Sequence, residues 1–261
     1  DLHSFPTRRS SDLHIELSGT VRQSIKRLCI ETGITENNFI QAVWSILLAK
    51  YNNCEDVVFG SIVSGRPAEI EGIEEMIGLF INTIPVRIKP EAGMTVKELL
   101  KQVQQSAIET TAHHYVQLAE VQSESGLGRN LFDHILIFEN YPVQKRVRQN
   151  MEEHAELSLQ SFSSFEQANY NLSVIIVPGE TIHVQLVYNG NEYTDTQIER
   201  LKKHLLQITE RMTINPGGTI AEIDYLGEQE KHRLLAEFND TVVDYPKDKT
   251  VARLFEEQVT R

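Results

Sequence analysis

One stretch, Glu55 to Ile88 (EDVVFGSIVSGRPAEIEGIEEMIGLFINTIPVRI), constrains the fold more than any other, because its backbone preference changes several times in a short span. Val57, Val58, Phe59, Ile62 and Val63 are β-branched or aromatic with only Gly60 and Ser61 between them, the composition of a strand buried on both faces. Ser64-Gly65-Arg66-Pro67 ends it, since glycine accepts positive φ and proline lacks an N–H; Arg66 is thereby carried on a turn beside a buried strand. Ile73, Met76, Ile77 and Phe80 then fall at i, i+3, i+4 and i+7, which predicts one face of a short helix. Ile84, Val86 and Ile88 alternate with Pro85, Arg87 and Lys89 as a half-buried strand. Between these apolar blocks, Asn82 and Thr83 bring an amide and a hydroxyl that need hydrogen-bond partners. They either cap backbone at the helix end or line a polar channel.

The flanks fit an α/β order. Ile15 to Leu17 is strand-like, and after Ser18 the residues Val21, Ile25, Leu28 and Thr32 share a helical face closed by Gly33. Thr35 caps a helix whose Phe39, Ile40, Val43, Trp44, Ile46, Leu47 and Leu48 form an arc wide enough to be buried nearly all round. Thr95-Val-Lys-Glu98 and Thr194-Asp-Thr-Gln197 are capping boxes, each opening a helix with an apolar face. Leu172, Val174 and Ile176, then Ile182, Val184, Leu186 and Tyr188, alternate about Pro178-Gly179 and predict a hairpin. Val143 to Gln149 is basic and Met151 to Glu156 acidic, a solvated loop. Residues 1–13 (DLHSFPTRRSSDL) have no periodicity and read as a non-native or disordered tail outside the fold.

Several function classes are excluded. No run of 18 apolar residues exists, so no membrane-spanning helix is expected and the chain reads as soluble and cytoplasmic. Net charge is −12 with the basic residues scattered, which argues against a nucleic-acid surface. Cys29 and Cys54 have no C-x-x-C spacing, so two reduced thiols are expected and no disulfide or zinc site. Gly60-Ser-Ile-Val-Ser-Gly65 is not G-x-S-x-G, and neither H-E-x-x-H nor a phosphate-binding G-x-x-x-x-G-K-[ST] occurs. Exposed carboxylate pairs such as Glu74-Glu75 and Glu256-Glu257 read as solvated faces. No autonomous catalytic residue and no metal site is found.

The run Ile77, Gly78, Phe80, Asn82, Thr83 and Arg87, after Ser64-Gly65-Arg66-Pro67, closely resembles the I-G-x-F-V-N-T…R motif of condensation domains from non-ribosomal peptide synthetases, with Ile81 at the usual Val position. Gly33, Ile34, Thr35, Tyr51, Glu55 and Asp56 stand where that family has G-V-T, a Tyr and E-D. Arg129, Asn130, Phe132 and Asp133 resemble its Arg-Asn…Phe-Asp motif, with Leu131 where Pro or Pro-Leu is common. His113-His114 is not the family's catalytic His-His-x-x-x-Asp-Gly: the Asp-Gly is absent, and the pair lies downstream of the central stretch instead of upstream. The downstream run Phe238, Asn239, Thr241, Tyr245-Pro246 and Thr250 to Glu257 resembles the linker to an adenylation domain and that domain's first helix.

The resemblance implies a mixed-sheet α/β sandwich with flanking helices, like the C-terminal half of chloramphenicol acetyltransferase. Residues 14–225 would be the C-terminal lobe of a condensation domain, 226–249 a linker and 250–261 the start of an adenylation domain. It further implies that the lobe lines a tunnel near Ser64, Gly65, Arg66, Asn82 and Thr83, with Arg129 close by, while the catalytic histidine belongs to the N-terminal lobe. Such a fragment would be inactive alone. The implied partners are upstream and downstream peptidyl carrier domains, whose phosphopantetheine arms carry the substrates, with no cofactor bound directly, no nucleic acid and no membrane. A carrier-docking or scaffold module is the alternative of another class. An epimerisation domain of the same fold is a further one, which the adenylation-like tail after Phe238 speaks against.

Overall fold

The computed structural model describes residues 10–66, 70–73, 75–139, 170–242, 244 and 248–260. Local end signals set most helix limits. Helix α1 (Gly19–Thr32) starts where the Ser18 hydroxyl accepts from Val21 N–H and stops at Gly33, whose φ of 72° only glycine adopts freely. Helix α2 (Glu36–Asn52) is capped by Thr35, and α3 (Val96–Thr111) opens on the full Thr95–Glu98 capping box. A short helix α4 (Leu118–Glu124) follows, and α5 (Asp195–Ile214) opens on the Thr194–Gln197 box.

Among the described residues six strands, β1 (Ser10–Leu17), β2 (Val57–Ser64), β3 (Ile81–Ile88), β4 (His134–Phe138), β5 (Leu172–Pro178) and β6 (Ile182–Asn189), form one sheet in the order β1-β6-β5-β4-β2-β3. The β2–β4 and β4–β5 pairs are parallel and the rest antiparallel, so the sheet is mixed. Alternate strand residues, among them Ile15, Leu17, Phe59, Leu136, Val174, Ile176, Val184 and Leu186, share a single core with the apolar faces of α1, α2, α3 and α5. Helix α2 packs on α1, α3, α5 and β2, which is why its apolar arc is buried so fully.

Three expectations are corrected. Ser10–Leu13, expected to lie in a disordered tail, form the first half of β1, with Leu13 opposite Leu186 and packed on the core. The backbone of β6 templates this pairing, and no side-chain period is needed for it. The helix predicted over Ile73–Phe80 is not seen among the described residues of that segment, 73 and 75–80, which form turns, bends and irregular backbone in which Ile73 is buried while Met76 is 45% and Ile77 fully exposed. Strand β2 is fully buried only at Val57 and from Phe59 to Ser61, while Val58, Ile62 and Val63 are half-buried. The solvated loop expected over Val143 to Glu156 and the Tyr245-Pro246 pair lie outside the described residues.

A polar array crosses the core. The Trp44 indole N–H donates to His134 Nε2 at 2.9 Å, and His134 Nδ1 meets Asp133 Oδ1 at 2.7 Å. Indole can only donate, so Nε2 must carry the lone pair and Nδ1 the proton. The hydrogen bond from His134 holds the Asp133 carboxyl below the usual range.

The chain divides into two compact units, 1–225 and 226–261. The second contains α6 (Glu228–Leu235) and α7 (Val251–Val259), the latter capped by Thr250, with Val251, Phe255 and Val259 exposed. Among the described residues no helix is long and apolar enough to cross a membrane.

Burial pushes the Cys29 thiol up to about 12, whereas Cys54 is half-buried beyond the end of α2. The thiolate is the nucleophile, so native protein treated with iodoacetamide is expected to be labelled at Cys54 and spared at Cys29, with both labelled in denaturant; mass spectrometry checks this.

Candidate functional site

The antiparallel β2–β3 ladder brings five of the sequence-predicted site residues to one end of the sheet. Val63 pairs with Asn82, Ile62 with Thr83 and Ser64 with Ile81. From there the chain leaves as a loop whose base is closed by Gly65 N–H donating to Phe80 O at 2.6 Å. A Cβ on residue 65 would stand 2.5 Å from that same oxygen, so only glycine allows the closure.

Arg66 ties the turns of the loop together. Its guanidinium donates to the carbonyls of Ile73 and, at 2.9 Å, of Met76, and lies over the Phe80 ring at 4.1 Å. The Ile73 carbonyl accepts Met76 N–H at 3.4 Å as an i+3 turn bond, and the arginine takes its remaining acceptor site. Ile77 and Leu79 are left outward, the latter 92% exposed.

Asn82 sits in β3 and caps backbone, but away from a helix end. Its Nδ2 donates to His114 O at 2.8 Å and Val116 O at 2.7 Å, and its Oδ1 accepts Thr83 N–H at 2.9 Å. The turn it grips follows α3 and runs into α4, which packs on β3. Ser64 is exposed and Thr83 half-buried. Arg129 is exposed on a 3-10 turn (Gly128–Leu131) that packs on α4, and none of the hydrogen bonds that hold the cluster involves it.

Two features escaped the sequence reading. Arg87 holds Asp56 as a two-pronged fork, Nε to Oδ1 at 2.9 Å and Nη2 to Oδ2 at 2.6 Å, and this hydrogen bonding keeps the Asp56 carboxyl below its usual range. The signal was present as opposite charges just before β2 and opposite Val58 in β3. Glu55 accepts Ala92 N–H at 2.8 Å, so the E-D pair works as a fastener of β2 and β3. The second is His114, half-buried, whose Nε2 is sealed from solvent without a hydrogen-bond partner among the described residues. No group of His, Cys, Asp and Glu among the described residues could hold a metal ion.

Comparison with known proteins decides the family. The Condensation domain family matches residues 6–235. The chain belongs to the condensation-domain family. It is 40% identical over 247 residues to bacitracin synthase 3 of Bacillus licheniformis, covering 95% of this chain and 4% of that protein. With gramicidin S synthase 2 of Brevibacillus brevis it shares 38% over 240 residues, 92% of this chain and 5% of that one. The chain thus spans a small part of the curated relatives it matches. A four-domain nonribosomal peptide synthetase solved with AMP and glycine superposes with a TM-score of 0.78 at 17% identity, over 97% of this chain and 20% of that one. The X-domain from teicoplanin biosynthesis superposes with a TM-score of 0.69 at 20% identity, over 85% of this chain and 51% of that one. This condensation-domain sheet with its flanking helices has the chloramphenicol-acetyltransferase-like fold.

Burial lowers the pKa of His114, so the folded condensation domain takes up that proton less readily than the unfolded chain. The stability at stake is fully present above the unfolded imidazole pKa of about 6.5 and is lost as pH falls below it. The urea midpoint is expected to drop from pH 7 to pH 5, and to drop less in His114→Gln measured over the same range.

Proposed function

We propose that the chain is the C-terminal lobe of a condensation domain of a non-ribosomal peptide synthetase, followed by a linker and the opening helix of an adenylation domain, and that its β2–β3 end is one wall of the tunnel in which an amide bond forms. Each substrate arrives as a thioester on the phosphopantetheine arm of a carrier domain, upstream for the acyl or peptidyl donor and downstream for the aminoacyl acceptor. The acceptor nitrogen attacks the donor carbonyl carbon. A C–N bond forms, the C–S bond breaks, and the nitrogen's proton leaves while the departing sulfur ends as a thiol. The base or positioning histidine belongs to the N-terminal lobe, and this lobe contributes shape and fixed hydrogen bonds.

The observation that carries the reading is that Ser64, Gly65, Arg66, Asn82 and Thr83 converge on one strand end within a chain matched to the family over residues 6–235. Their polar groups hold backbone, which suits a rigid wall: Arg66 holds its own loop and Asn82 the turn after α3. The exposed Ile77 and Leu79 fit contact with the other lobe. The share of the teicoplanin X-domain that the chain covers, 51%, supports the single-lobe assignment. The exposed apolar face of α7, with Val251 and Phe255, fits a helix that completes its packing within a following domain.

The test joins the chain to a preceding lobe carrying His-His-x-x-x-Asp-Gly and assays amide formation between loaded carriers. Product from the joined protein and none from the chain alone is the expected result. Amide formation by the chain alone, or none by the joined protein, would overturn the reading.

A further inference from the structure

We propose that Asn82 is a positioning residue for amide formation: it does not touch the thioesters, and acts by holding the His113–Val116 turn against β3. The proposal deepens the tunnel-wall reading of the β2–β3 end and rests on it. A primary amide has two N–H donors and one carbonyl oxygen. Both donors of Asn82 are engaged, one carbonyl on each side of Tyr115 receiving them, at 2.8 Å from His114 O and 2.7 Å from Val116 O. The oxygen takes Thr83 N–H at 2.9 Å, within the same strand. No donor is left for a substrate carbonyl, whereas the turn is fixed at two points by a single side chain.

The turn's own residues show what the grip maintains. Tyr115, between the two gripped carbonyls, is 73% exposed and stands outward from the turn. Its neighbour His114 is turned inward, with a sealed Nε2 that has no partner among the described residues. An imidazole nitrogen without a partner favours any motion that returns it to water, so the inward pose needs a restraint. The double hydrogen bond from Asn82 supplies it at the adjoining carbonyl. Thr83 lends its N–H to orient the amide, which keeps both donors aimed at the turn.

Two substitutions separate positioning from substrate contact in the synthetase that carries this chain. Asn82→Ala removes both donors, and kcat is expected to fall about ten-fold, the rate equivalent of losing one to two neutral hydrogen bonds, with KM for the acceptor carrier changed less than about two-fold. Asn82→Asp keeps the shape but sets a carboxylate oxygen against two carbonyls, and is expected to fall further than N82A. A residue accepting a hydrogen bond from the reacting amine would give the reverse order. In the 261-residue chain itself, the His114 titration followed by NMR gives a second reading: in both variants its midpoint is expected to rise toward that of a free imidazole as the turn loosens. Wild-type turnover in N82D with loss in N82A overturns the proposal, as does a His114 midpoint unmoved in both. If the unaltered synthetase forms no amide, the tunnel reading and the role in catalysis fall together, while the titration still reports whether the grip exists, so the two failures are distinguishable.

Discussion

Trp44→Ala is expected to lower the unfolding free energy by about 3–5 kcal/mol, the range for emptying a large buried aromatic site. Trp44 is 1% exposed in the middle of α2, and loss of its ring leaves a void between the helix layer and the sheet. A second cost lies on top of the void. His134 Nε2 accepts from the indole and stacks edge-on to it, at 5.5 Å between ring centres, and would be left buried without a donor. Trp44→Phe isolates that part: it keeps most of the volume and removes the N–H, and is expected to cost about 1–3 kcal/mol. Urea denaturation followed by far-ultraviolet circular dichroism measures both, since the chain's single tryptophan is the residue removed. A phenylalanine variant as stable as the parent would mean that packing alone carries the contact.

Gly60→Val is the second large effect, expected to cost about 3 kcal/mol through overpacking. A Cβ at residue 60 would stand 2.5 Å from Phe132 Cε2 and 2.7 Å from Ile135 Cγ2. Neither neighbour can move aside easily, because Ile135 is paired with Gly60 across the β2–β4 ladder and Phe132 stacks on Tyr170 at 5.7 Å. The cause can be checked by a double-mutant cycle with Phe132→Ala, which opens the space the valine needs. The combined variant is expected to be more stable than the sum of the two single losses predicts. Strict additivity would place the cost elsewhere, in the strand backbone.

What could be read from the sequence was what short-range chemistry decides. Ser18, Gly33 and the boxes Thr95–Glu98 and Thr194–Gln197 act on atoms within a few residues, and each stands at the helix end it predicts. The β5–β6 hairpin is likewise local, with Pro178 opposite Ile182. The loop between β2 and β3 was misread because its spacing is helical while its conformation is imposed from outside that spacing, by the Gly65 closure and the Arg66 guanidinium. Ser10–Leu13 alone are too short to announce a strand, and their pairing is with Leu186 to Asn189, far along the sequence. For Asn82 the residues required a partner but could not name one, and the carbonyls of His114 and Val116 became visible only in the fold. The same holds for His134, a polar residue opening an apolar strand, whose donor lies in a helix far upstream.

The pairing of edge strand β1 with β6, Ser10 with Asn189 and Leu17 with Ile182, bears on how the sheet is made. Ribosomes add about 5–20 residues per second, so the nascent first strand waits on the order of ten seconds for its only ladder partner among the described residues. Throughout that interval its amides and carbonyls are open to pairing with any other extended segment nearby. Polar Asp12, His14 and Glu16 at every second position give it a hydrophilic face during the wait, and the same exposed side chains go on guarding the sheet edge that β1 forms once it is paired.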